Sequence, residues 1–188
     1  MGLAGFDFEA LNRRYRDMPA NEAIPYGVKI ERSGIGGAWR CIGVRHLSGD
    51  ENRRRHNVFV ECLDEAGVRQ RAPVLRWQWG DAGPILNVRF DKPANEPAAD
   101  IPIDYHATVR CWIGDSLPSD VVTGLHARHM DEGGSAGSPA GNTLGHHSYY
   151  VVFQRATVVV IVPPPVALTF EERLADLERW RKEMTGGL

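Results

Sequence analysis

The spacing of apolar residues divides this chain into three stretches. Between residues 7 and 18, Phe8, Leu11 and Tyr15 recur at intervals of three and four. That spacing predicts a short helix ended before Pro19. A proline-punctuated connector, PANEAIPYG, follows. From residue 27 to 162 the pattern changes to short β-like runs separated by turn signals: GVKIER, AWRCIGVRHL, HNVFVECL, VRQRAPVLRWQW, PILNVRF, YHATVRCWI, VVTGLHAR, SYYVVFQR and ATVVVIV. DEAG (64–67) reads as a hairpin turn between the third and fourth runs, and GDAGP (80–84) as a second turn. After Pro163, Pro164 and Pro165 the helical period returns. Thr169 and Glu172 form a capping box ahead of an amphipathic helix over 168–185.

Seven to nine short strands with two longer connections, 91–104 and 131–145, predict an all-β protein, an antiparallel sandwich. The expected organisation is an N-terminal arm at 1–26, the sandwich at 27–162, and a proline linker with its helix at 163–188. The arm carries aromatic residues with little of its own to pack them on. Packing on the domain body or on a neighbouring subunit would each explain them. The candidate subunit contacts are Phe6, Phe8, Leu11 and Tyr15 in the arm, with Phe170, Leu174, Leu177 and Trp180 in the final helix.

Composition removes several function classes. A formal charge of −2 gives no electrostatic reason to expect nucleic-acid binding. The longest apolar run, VVVIVPPPVAL, is broken by three prolines and falls short of the roughly 18 residues of a membrane span. No basic segment followed by an apolar core opens the chain, so the expectation is synthesis in a cytoplasm without a signal peptide. Cys41, Cys62 and Cys111 are too few for a disulfide framework, and all three fall inside β-like runs, as small buried thiols would.

Three constellations hold candidate chemistry. His126, His129, His146 and His147 flank a glycine- and serine-rich stretch. Zinc needs three or four converging ligands. On a regular strand, residues that are adjacent or three apart point to opposite faces. At most one histidine of each pair can therefore face a common centre, and a long hairpin with these pairs as its two feet would bring one of each together. Asp131 or Glu132 would supply a third ligand. The alternative is strand-end histidines bonded to loop backbone. Trp77 and Trp79 share a strand face, and either stack on a glycan or build the core. No GxSxG occurs, the thiols sit in apolar strands, and GGSAGS lacks a following helix. The expected function is non-catalytic, with no cofactor beyond a metal ion at the histidines.

The order Cys62, Trp77, Cys111 resembles the B-strand cysteine, C-strand tryptophan and F-strand cysteine of immunoglobulin-like domains. The resemblance departs at Val109, where that fold places a tyrosine, and a reducing cytoplasm disfavours the disulfide. RHNVFVECLDEAGVR and GHHSYYVVFQR resemble segments of Ig-like accessory domains in tailed-phage virion proteins and beside phage-type cell-wall lysozymes. That likeness implies a decoration, cementing or adhesion protein of a phage-like particle, a homo-oligomer or bound to the particle surface. The alternatives are a carbohydrate-binding module for cell-surface glycan, and a metal-binding hairpin or metal-dependent enzyme.

Overall fold

The structure is a computed structural model that describes residues 7–34, 38–47, 51–52, 55–104, 106–128 and 147–156. The run 156–162, the helix 168–185 and residues Phe6, His129, His146, Phe170, Leu174, Leu177 and Trp180 lie outside the described residues, Ala156 excepted.

Among the described residues one α-helix, α1 (Phe8–Asp17), precedes ten strands: β1 (Ala20–Asn21), β2 (Lys29–Glu31), β3 (Trp39–Leu47), β4 (Asn57–Leu63), β5 (Val74–Trp79), β6 (Ile85–Arg89), β7 (Ala99–Pro102), β8 (Val109–Ile113), β9 (Val121–Leu125) and β10 (Ser148–Arg155). Sheet A has the order β1-β3-β10-β4-β7, and sheet B the order β2-β9-β8-β5-β6. The main core lies between them. Val44, Val58, Val60, Cys62, Val151 and Phe153 of sheet A meet Leu75, Trp77, Val109, Cys111, Ile113 and Val122 of sheet B.

The β-rich sandwich stands, but the antiparallel expectation fails for sheet A. β10 runs parallel to β4 and antiparallel to β3, between which it is inserted, and β1 is parallel to β3. Parallel neighbours cannot be joined by a tight turn, and β10 reaches its place only after the chain has built sheet B. The DEAG turn is also reassigned. Gly67 N donates to Asp64 O at 3.0 Å and Val68 N to Asp64 Oδ1 at 2.8 Å, closing the turn. A single bridge, Leu63 to Arg69, follows before the chain crosses to sheet B. The strand expected over 68–79 is therefore confined to β5. GDAGP does close a hairpin, β5 to β6. The connection 91–104 contains β7, which pairs with β4.

The arm is a structural layer. Asp7 Oδ1 caps α1 by accepting from Ala10 N at 2.9 Å, one of the donors a helix start leaves unpaired. Phe8, Leu11 and Tyr15 then pack on Ile42, Leu47, Phe59, Leu63, Tyr150 and Val152, the outward face of sheet A. This corrects their assignment as subunit contacts, because all three side chains are buried within their own chain. It also explains why NVFVECL and SYYVVF read as continuous apolar runs: β4 and β10 are covered on both faces. β8 alternates strictly, with Val109, Cys111 and Ile113 inward and Arg110 and Trp112 outward. The outward face of sheet B lies on the wet side.

Candidate functional site

The two tryptophans chosen for sugar stacking are turned inward. Trp77 belongs to the core, 6% exposed, and Trp79 is half-buried beside it with ring centroids 5.4 Å apart, edge to face. An inward Trp77 leaves no ring face for a glycan. The aromatic residue that does face outward from sheet B is Trp112, half-buried on β8.

The described strands at the two ends of the expected histidine hairpin do not pair. β9 belongs to sheet B and β10 to sheet A, so His126 and His147 end strands of different sheets. The two ends still meet, because Tyr149 Oη donates to His126 O at 3.0 Å. His147 is buried, and its Nδ1 lies 2.6 Å from Nε2 of His46 near the end of β3. His46 stacks on Tyr26 with centroids 3.8 Å apart and meets Tyr149 edge-on at 5.8 Å. A hydrogen bond between two imidazoles needs one donor and one acceptor, so the pair is incompatible with two imidazoliums. His46 has no local signal in the sequence, because only the register Tyr149 to His46 brings it to this end of the sandwich. Among the described residues no group of three or more His, Cys, Asp or Glu is placed to hold a metal.

His126 has a distinct electrostatic setting. Its Nδ1 accepts from Arg128 N at 3.0 Å, which requires the neutral ring. Burial, and then the Arg128 charge, hold its pKa below the ordinary histidine value. A depressed folded pKa contributes stability that is present above the unfolded value near 6.5 and is lost as pH falls through the folded one. Melting temperatures measured from pH 7.5 down to 5 are expected to fall more steeply for the wild type than for His126→Gln. Equal slopes would remove His126 as the cause.

The buried polar groups have structural partners. Glu61, wholly buried on β4, accepts from Arg69 Nε at 2.8 Å and Nη2 at 2.6 Å. Burial raises its pKa, and the Arg69 fork limits the rise. Arg69 also donates to Pro93 O and Glu96 O, tying the 91–98 segment to β4. Asn12 of α1 bonds Glu61 and accepts from Tyr150 Oη at 2.7 Å, adding a polar pin to the docked helix. All three cysteines are free and buried. Burial pushes the Cys41 thiol up to about 12 and raises Cys62 and Cys111 further, away from nucleophilic thiolate.

A shallow cleft of about 360 Å³ lies on the outward face of sheet B, lined by Val74, Arg76, Asn87, Arg89 and Gly114. Strand register builds it. Arg76 lies opposite Trp112 on one side and Asn87 on the other, and Val74 lies opposite Arg89. Gly114 continues β8 beside Val74, to whose carbonyl its N–H donates at 2.7 Å. Two adjacent rows result, Trp112–Arg76–Asn87 and Gly114–Val74–Arg89, with the small residues forming the floor. A Cβ on Gly114 would lie 2.5 Å from Arg76 Cγ and Cδ, so the missing side chain lets Arg76 lie flat. No family model, no curated protein and no solved structure matches the chain. Its function has to be argued from geometry.

Arg76 was legible in RWQW, where period-two alternation puts it opposite the tryptophans. Arg89 and Gly114 carried no local signal, since they join the site only through cross-strand register.

Proposed function

We propose that this chain is a non-catalytic accessory module, Ig-like in strand order, that attaches to a larger assembly of the phage-particle type through the exposed face of sheet B. One observation carries the reading: among the described residues the two sheets differ in cover. Helix α1 covers the outward face of sheet A, whereas sheet B keeps Arg76, Ile85, Asn87 and Arg89 exposed. The Ig-like description is supported by neighbour relations. β4 pairs with β7, β5 lies between β6 and β8, and β8 pairs with β9. Those are the relations of strands B, C, C′, E, F and G, with Cys62, Trp77 and Cys111 on B, C and F. β3 and β10 are additions on the far side of β4.

A non-catalytic role accords with thiols held protonated by burial and with buried carboxylates committed to arginines. The test is density-gradient sedimentation of particles from the producing culture, with the chain followed by a specific antibody. The chain is expected in the particle band. Recovery only at the top of the gradient would overturn the reading. A glycan-binding role is favoured by a separate observation, the arginine cleft.

A further inference from the structure

We infer that the cleft of Arg76, Arg89 and Asn87 binds an acidic sugar unit of an anionic polysaccharide, one bearing carboxylate or phosphate groups. The inference shares with the proposed function the premise that the exposed face of sheet B does the work, and adds the chemistry of what it meets.

The first support is an imbalance of charge. Most of the other described arginines have acidic partners: Arg14 with Glu22, Arg32 and Arg40 with Asp120, Arg45 with Glu51, Arg69 with Glu61, Arg110 with Asp81, Arg155 with Glu65. Arg71 is held by the carbonyls of Asp91 and Lys92. Arg76 and Arg89 have no ion pair or hydrogen bond among the described residues, yet they line one cleft. Their guanidinium groups offer planar forks that match a carboxylate or phosphate with two parallel hydrogen bonds. Two like charges kept together without a counter-charge complement an anion.

The second support is shape. About 360 Å³ is at the small end of ligand clefts, the size of a sugar unit and well short of a long polymer groove. Gly114 and Val74 leave the depression, Asn87 adds an amide able to donate to and accept from hydroxyls, and half-buried Trp112 is the cross-strand neighbour of Arg76. Arg110 lies over the Trp112 ring at 5.9 Å, which steadies that aromatic edge. Nucleic acid fits less well. Tight binding to it relies on many phosphate contacts, and a cleft with two arginines on a chain of net charge −2 supplies few.

The experiment uses the full chain and affinity electrophoresis at about 20 mM salt, where charge screening is weak. Polygalacturonate presents carboxylates, phosphomannan presents phosphates, dextran is neutral, and a single-stranded oligonucleotide tests nucleic acid. Retardation by one or both acidic polymers and none by dextran is expected. Arg76→Gln and Arg89→Gln should each weaken it by about tenfold or more, the loss of a charge-assisted fork. Gly114→Ala, which displaces Arg76 without changing charge, should weaken it as well. Lys29→Gln on the distant β2 edge should not, and melting temperatures confirm that each variant is folded. Retardation unchanged in all three cleft variants, equal retardation by dextran, or tighter binding of the oligonucleotide would each overturn the inference.

The outcomes separate the two ideas. If the acidic polymers fail but the cleft variants leave the particle band, the accessory role stands and the glycan falls. If the polymers bind through the cleft but the chain never bands with particles, the reverse holds.

Discussion

Replacing Asp120 by alanine is expected to destabilise the protein by about 3–5 kcal/mol, the cost of breaking a buried charge network from one side. The carboxylate is wholly buried where the chain enters β9. Its Oδ1 accepts from Ser33 N at 2.9 Å and Arg40 Nη1 at 3.1 Å, and its Oδ2 from Arg32 Nη1 at 2.7 Å and Cys41 N at 3.0 Å. Cys41 belongs to β3 of sheet A, so this one side chain fastens the two sheets together. Asp120 N donates to Trp39 O and Trp39 N to Pro118 O, each at 2.8 Å, and hold the same edge. On truncation, Arg32 can turn to water because its side chain is half-exposed, but the Cys41 N–H cannot. Arg32→Ala is accordingly expected to cost no more than about 1 kcal/mol. Asp120→Asn should fall between the two, since its amide nitrogen can accept from none of the four donors. Urea denaturation measures all three, and an Asp120→Ala stability within about 1 kcal/mol of wild type would refute the assignment.

Why the candidate site was only partly legible follows from the same geometry. Strand existence is local, and β3, β4, β6, β8 and β10 fall within runs that alternation or apolar density marks. Sheet membership is not local. Nothing in DEAG distinguishes a hairpin from a turn that releases the chain to the opposite sheet, and the difference appears only when Arg69 is found holding Glu61, Pro93 and Glu96. β7 was hidden among prolines because its pairing partner, β4, is distant in sequence. The same limit applies to function. The spacing of Trp77 and Trp79 equally describes a glycan platform and a core face, and their face of β5 is the one that packs against sheet A. The cleft requires Arg76, Arg89 and Gly114 from three strands, and their adjacency exists only in the folded register. One signal did carry long-range information. β10 is apolar on both faces, and a strand with no polar face needs cover on both sides. The periodicity of Phe8, Leu11 and Tyr15 supplies that cover.

That cover makes Gly43→Ala the most informative substitution on sheet A. A methyl group on a strand glycine ordinarily stabilises by about 0.5–1 kcal/mol, because glycine loses more freedom on folding. Here the sign is expected to reverse. Gly43 lies where the register of β3 and β10 shifts, and a Cβ at this position would fall inside the Tyr15 ring. Tyr15 cannot swing aside, since it is fully buried and its hydroxyl reaches Glu22 Oε2 at 3.3 Å. The helix must then lift, loosening Phe8 and Leu11 with Tyr15, and each such side chain contributes about 1.5–3 kcal/mol by burial. A loss of about 2–4 kcal/mol is expected, within the range for overpacking and partial loss of the layer. The decisive measurement is a double-mutant cycle with Tyr15→Ala, which vacates the contested space. In that background Gly43→Ala should be nearly neutral, a coupling of about 2 kcal/mol or more. Equal costs in the two backgrounds would show that the contact does not set the stability of the helix. By the same reasoning, removing residues 1–17 strips cover from Phe59, Leu63, Tyr150 and Val152. The shortened chain is therefore expected to aggregate rather than persist as a free sandwich, because an uncovered apolar sheet face of that size is itself an association surface.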